Sequence, residues 1–585
     1  MNIMRMLGLL TAAATLTACC GASLPGTYLR EYLLTASAET DESGKCGENL
    51  TWEYQSENRL LTISGIGEMY DFLNPEGTLP WADKFIESVV VTEGVTSIGE
   101  RAFAWNYNLK EVTLPDSVTT IKRMAFRDTS ITELHLPAGL RKLESGCFCS
   151  CQNLTELVLP DKLDTIGWYA FAECEHLKRI TFPQSITTIS AEAFSDTAWI
   201  QAEREKNPLV TVNHFLIDGE NASGKVKIPD GVTEICDRSF ANNEGITSVT
   251  LPDSVKRIGE EAFCGCSNLT DVTLPKGLTG ISDGTFSYCR CLTDITLPDT
   301  ITKIGENAFA DCLSLENLTL PKGVTEIGSG AFQACGLESV SIPESVTEIG
   351  DEAFCECRAL TSIKIPGSVS VIGERVFSDC CSLTDISFSK GLSVIGSHAF
   401  AGCFQLGGVV LPDGLKEIGD SAFSGCSSMA SVQIPESVTD IAASAFYECN
   451  TVLIIGVSGS AAKQYAKEKA LPFIEWNPDA ETYIIASGEF TSDENGNFTW
   501  SLNSEGELTV SGTGDMPEWK RSGQWNMDSD VPWFVYRKCI KTVSLKGTIT
   551  SIGSCAFEDC LNLHSFAIPD SVKTIGEYAF CNCCS

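Results

Sequence analysis

The chain has 585 residues, 43% of them hydrophobic, which suffices to bury one or more cores and is too polar for a polytopic membrane protein. Its 77 acidic against 41 basic residues leave a formal net charge of -36, which opposes association with nucleic acid or an anionic bilayer surface. The acid is spread along the chain, as on a solvated surface, and not gathered in a tail.

Arg5 precedes an apolar run over residues 6–18 that is too short to span a bilayer, which reads as an export signal. Leu16-Thr17-Ala18-Cys19 resembles a bacterial lipobox, so residues 1–19 are expected to be a signal peptide with Cys19 as the lipidated residue, and 20–44 a linker. Membrane contact would then occur only through that lipid anchor, on the extracellular face of a bacterial cell. The alternative is cleavage after Ala22 and a free secreted product.

Residues 45–92 contain alternating apolar positions, turn signals and Trp52 and Trp81, the marks of a small N-terminal β cap. A related stretch over 480–547 carries Trp500, Trp519, Trp525 and Trp533 and reads as a second cap. The tryptophans are expected to plug the open apolar end of a stacked array, with a stacking platform for sugars as the alternative.

Between them, residues 93–452 are repetitive. Phe103, Phe126, Phe148, Phe171 and Phe194 form one series, and Phe240 to Phe446 a second, with steps of 23 residues except for 22 at 126–148 and 332–354. Within a unit such as LTDVTLPKGLTGISDGTFSYC, the alternating β-branched stretch predicts a short strand, proline ends it, and a tight turn leads to phenylalanine. No unit can bury its apolar residues alone, so the units must stack as a solenoid. Residues 198–228 interrupt the period, with a helix predicted over 198–206 and a hairpin after it. A closing cap is expected over 453–479, and a second, truncated array over 548–585.

Thirteen of the 27 cysteines lie three residues after a repeat phenylalanine, Cys266 and Cys289 among them, which predicts a ladder of small buried thiols. The occasional C-x-C pairs, such as Cys264 with Cys266, lack the spacing of zinc sites, and no metal is expected. Coil-to-coil disulfides stay open as an alternative, although parallel Cβ vectors disfavour their dihedral.

The pattern L-x-x-V-x-L-P-x-x-V-T-x-I-G-x-x-A-F-x-x-C resembles the Treponema-type leucine-rich repeat of BspA-like bacterial surface proteins. The resemblance implies a curved, right-handed, β-rich leucine-rich repeat solenoid of 23-residue coils with small β cap modules. It also implies display outside the cell and adhesion to host or microbial surface or extracellular-matrix proteins.

Gly280-Ile281-Ser282-Asp283-Gly284 matches G-x-S-x-G, but the strand–turn–helix context of a hydrolase elbow is missing and the five histidines are scattered. No catalytic residue and no cofactor is therefore expected. The better candidate site is the outward position of the repeat strand, represented by His135, Thr250, Thr273, Thr296, Thr319, Lys364 and Gln433. Such a column can contact an extended polypeptide, or alternatively a glycan, through repeated weak hydrogen bonds. It can equally be an ordinary solvated sheet on a structural spacer without a ligand.

Overall fold

The computed structural model describes residues 42–73, 79–449, 452–476, 484–492, 496–503, 505–520 and 530–583. Cys19, the export segment and Trp525 lie outside them. The chain divides into two compact units, one up to Ile189 plus Ala193–Ala202, the other Ser190–Glu192 plus Glu203–Ser585. Both are β-solenoids. Among the described residues no helix is long and apolar enough to cross a membrane.

Each coil carries two short strands. In one coil of the second unit, Asp271–Thr273 points Val272 inward and Asp271 and Thr273 outward, Pro275 ends the pairing, and Gly280–Ile281 forms the second strand. Both pair in parallel with the following coil, Val272 with Ile295 and Ile281 with Ile304. The apolar positions thereby fall into continuous inward columns, the only way so small a unit can bury them.

The repeat phenylalanines stack face to face. Ring centroids lie 5.1–5.7 Å apart from Phe103 to Phe194 in the first unit and 4.9–5.6 Å apart from Phe240 to Phe446 in the second. Every such turn places residues in the left-handed region, and many are not glycine: Glu261 at φ 52, Tyr288 at 59, Asn307 at 51, Asp311 at 58. The cost of about 1–2 kcal/mol each is borne because neighbouring coils fix the backbone from both sides.

The thiol ladder has a hydrogen-bonding role that the sequence does not disclose. The buried thiol of Cys266 donates to the Phe240 carbonyl at 3.0 Å, that of Cys289 to Phe263 at 3.1 Å and that of Cys312 to Phe286 at 3.2 Å. Each cysteine thus satisfies the phenylalanine carbonyl one coil back. At Asn243 the preceding turn has no phenylalanine, and its amide nitrogen lies within 3.0 Å of the carbonyls of Gly219, Glu220 and Ala222 instead. Ladder cysteines such as Cys266, Cys289 and Cys312 are free thiols. Burial pushes Cys266 up to about 12 and Cys289 well above the ordinary thiol range, so both stay protonated and unreactive.

The interruption of the period contains a helix, α1, at Ala198–Lys206. Trp199, buried on it, meets the edge of Phe194 at 5.4 Å and closes the first unit's ring stack together with Phe182. In the second unit Val210–Val212 and Phe215–Asp218 form an antiparallel hairpin, and Phe215–Asp218 continues in parallel with Glu234–Ile235. Glycine is required at Gly219, where a Cβ would stand 2.2 Å from the Phe240 ring. After the last regular coil, helix α2, Ala461–Glu468, lays Tyr465 edge-on to Phe446 at 5.8 Å, with Phe473–Glu475 beside it as the last strand.

A candidate ligand-facing sheet

The first strand of each coil presents two outward columns flanking one inward residue. In the second unit the outer column runs Ser248, Asp271, Asp294, Asn317 and the other Thr250, Thr273, Thr296, Thr319, with Val249, Val272, Ile295 and Leu318 buried between them. Cross-strand register aligns Thr250 with Thr273 and Asp271 with Asp294. A hydroxyl column therefore runs beside a more acidic one, and Ser248 donates to Asp271 at 2.8 Å.

Of the residues singled out from sequence, His135, Thr250, Thr273, Thr296, Thr319 and Lys364 are exposed and Gln433 is half-buried. All but His135 belong to the second unit. The Lys364 ammonium lies 3.5 Å from the Glu344 carboxylate, an exposed pair that holds it only weakly. Two aliphatic residues that sequence reasoning passed over hold the same outward strand position in their own units: Val158 of the first is 66% exposed and Val410 of the second 63%. The signal was available, since valine replaces threonine at an outward register position.

Other threonine hydroxyls are already used. Those of Thr270, Thr293, Thr302 and Thr325 donate to carbonyls one coil back at 2.9–3.2 Å, so these rows strengthen the stack and are not open to a ligand. The Ser282 hydroxyl likewise donates to the Ile258 carbonyl. The cap residues Trp52, Trp81, Trp500, Trp519 and Trp533 are at most 8% exposed. Packed this way they fill the ends of the stacks and offer no ring face to a sugar.

Residues 81–200, 219–338, 325–453 and 532–585 match the family described as the BspA type leucine rich repeat region. The chain belongs to this family. A leucine-rich repeat protein of Bacteroides ovatus is 26% identical to this BspA-type chain, over 74% of this chain and 100% of its own, with a TM-score of 0.43. A leucine rich cell surface protein of Faecalibacterium prausnitzii is 25% identical over 74% and 98%, with a TM-score of 0.29. A T. pallidum leucine rich repeat protein is 27% identical over 35% and 77%, with a TM-score of 0.23. No curated protein matches the chain.

Proposed function

We propose that this BspA-type chain is a surface-displayed interaction module, an adhesin whose exposed sheet engages a host or microbial protein. The observation that carries the reading is the pair of outward columns, whose side chains are mostly exposed, while hydroxyl rows that bond coil to coil, such as Thr270 and Thr293, lie outside them. A partner can therefore be met at many equivalent positions without disturbing the fold, and repeated weak contacts add up to avidity. Cys19 would anchor the chain by its lipid to the outside of the cell.

The test is capture by the full chain on an array of extracellular-matrix proteins and glycans, repeated with His135→Ala, Lys364→Ala and Gln433→Ala. A saturable protein partner, lost on these substitutions, is the expected result. Reproducible silence would favour a structural spacer, and hits confined to glycans would reject a protein partner. For the anchor, labelling with a radioactive fatty acid should mark the native chain and not Cys19→Ala.

A further inference from the structure

Within the second unit the outward columns lie open along the array and close at its last regular coil. From Asp271 to Gly408 the outer column is exposed, and Ser431 is half-buried; from Thr273 to Val410 the other is exposed, and Gln433 is half-buried. The residue just before the strand changes at the same place, since Thr270, Thr293, Thr361 and Thr384 are exposed whereas Ala430 is 5% exposed. A segment of the second cap lies against it. The Lys538 ammonium donates to the Ser427 carbonyl at 2.7 Å, and the Cys539 thiol stands 3.8 Å from the Ala430 carbonyl.

In regular coils the carbonyl after the ladder position accepts from a side-chain amide of the next coil, as Glu244 does from Asn268 at 2.9 Å and Lys538 itself does from Asn562 at 2.7 Å. At Ser427 the donor is Lys538, 111 residues further along the chain. The turn Phe534–Cys539 that carries it is tied to the cap's core, with the Tyr536 ring 6.0 Å from Trp500. The acceptor is a neutral carbonyl, and burial, followed by the like charge of Arg537, holds the Lys538 pKa below the ordinary lysine range. A half-buried ammonium on such an acceptor gains little net of its desolvation, so the contact is one that a competitor can displace.

We infer that the second cap is a latch docked over the end of the ligand-facing sheet, shielding the outward positions Ser431 and Gln433 from a protein partner until it is displaced. The inference rests on the reading of the sheet as a protein-binding face. While the latch is closed, a partner meets the columns only as far as Gly408 and Val410. A partner that goes on to Ser431 and Gln433 must first displace Lys538 and Cys539, and its apparent affinity is lowered in proportion to the fraction of chains that are open. The chain thereby holds part of its own face in reserve.

Timed alkylation of introduced thiols in the full chain, read by peptide mass spectrometry, tests this. The thiol of Ser431→Cys should react with N-ethylmaleimide at least about fivefold more slowly than that of Asp385→Cys, at the exposed place two coils back in the same column. Lys538→Glu, which sets a carboxylate against the Ser427 carbonyl, should remove the difference with circular dichroism unchanged, and Lys538→Arg, which keeps a donor, should retain it. Ala430→Thr, the residue that Thr270 and Thr293 supply in regular coils, should open the latch from the array side without touching the cap. Equal labelling of the two thiols in the otherwise unaltered chain, or a difference that survives both Lys538→Glu and Ala430→Thr, would overturn the inference. A protein partner found in the capture experiment should bind each opened variant at least about threefold more tightly. Equal affinity rejects the shield and leaves the sheet reading standing, whereas labelling as expected without any captured partner rejects the sheet reading and leaves the latch.

Discussion

The two caps are built on the same aromatic device and differ in what surrounds it. Trp81 stacks on Phe103 at 5.5 Å and its indole N–H donates to the Ala102 carbonyl at 2.9 Å; Trp533 stacks on Phe557 at 5.7 Å and donates to Ala556 at 2.8 Å. Trp52 meets Trp81 edge-on at 6.0 Å, and Trp500 meets Trp533 at 6.1 Å. Even the glycines agree, since a Cβ on Gly44 or Gly488 would lie 2.8 or 2.7 Å from the facing indole nitrogen. The periphery diverges. Tyr54 donates to the Phe85 carbonyl where the second cap has Leu502, and Lys84 pairs with Glu42 and Asp83 where it has Tyr536. In the second cap, Lys538 donates to the Ser427 carbonyl at 2.7 Å, within the same compact unit. Each cap therefore starts its ring stack with one indole that is both the first ring and the first donor, and the remainder of the cap adapts to its neighbours.

Trp81→Ala and Trp533→Ala should break both starts, each at a cost of about 3–5 kcal/mol for a lost buried ring. Hydrogen exchange by mass spectrometry should then show lost protection in the coils nearest the substituted cap, and Trp533→Ala should leave the coils from Phe240 to Phe423 protected. Trp→Phe at the same positions keeps the ring and removes the donor, so each should cost about 1–3 kcal/mol for an unsatisfied carbonyl. Unequal values in urea titrations would mean that the indole N–H matters in one cap alone.

The thiol ladder offers a finer comparison. Cys174→Val leaves the Phe148 carbonyl without its donor in a buried site, and should cost about 1 kcal/mol. Cys583→Val acts on Phe557 through a half-buried thiol and should cost less, because water can replace the donor. The pH dependence follows from the same burial. A thiol such as Cys266, held up at about 12, is protonated in the fold while the unfolded chain ionises it near its ordinary value of about 8.5. Its stabilising contribution is therefore complete below about pH 8.5 and lost as pH rises toward about 12. Urea midpoints should be flat on the neutral side and fall on the alkaline side. Thr273→Ala, on the exposed column, should change stability by less than about 0.5 kcal/mol, which melting curves would check.

The solenoid was legible because period, proline, phenylalanine and cysteine recur together, and helix α1 because Ala198–Lys206 breaks the period with helix-forming residues. The left-handed turn residues were not. Glu261, Tyr288 and Asn307 share a backbone region but no side-chain chemistry, because packing by adjacent coils overrides local preference. The outward positions of His135 and Thr273 followed from alternation, yet where pairing between coils lapses did not. After the 22-residue step from Phe126 to Phe148, Glu133–Leu134 and Glu156–Val158 share no register pair, whereas after the equivalent step from Phe332 to Phe354 Ser339 pairs with Ser362. Such a lapse depends on the fit of whole coils, which no single position encodes.

The thiol-to-carbonyl link also bears on how such a chain can change over generations. Cys289 reaches Phe263 and Cys312 reaches Phe286 by the same geometry, so consecutive regular coils offer one another the same socket. Removing or duplicating one 23-codon block by unequal recombination would join an old socket to an old plug and leave no new junction to be optimised. Array length can then drift freely in a population while the caps stay fixed. Selection on what the surface touches would act on a few outward codons without passing through misfolded intermediates.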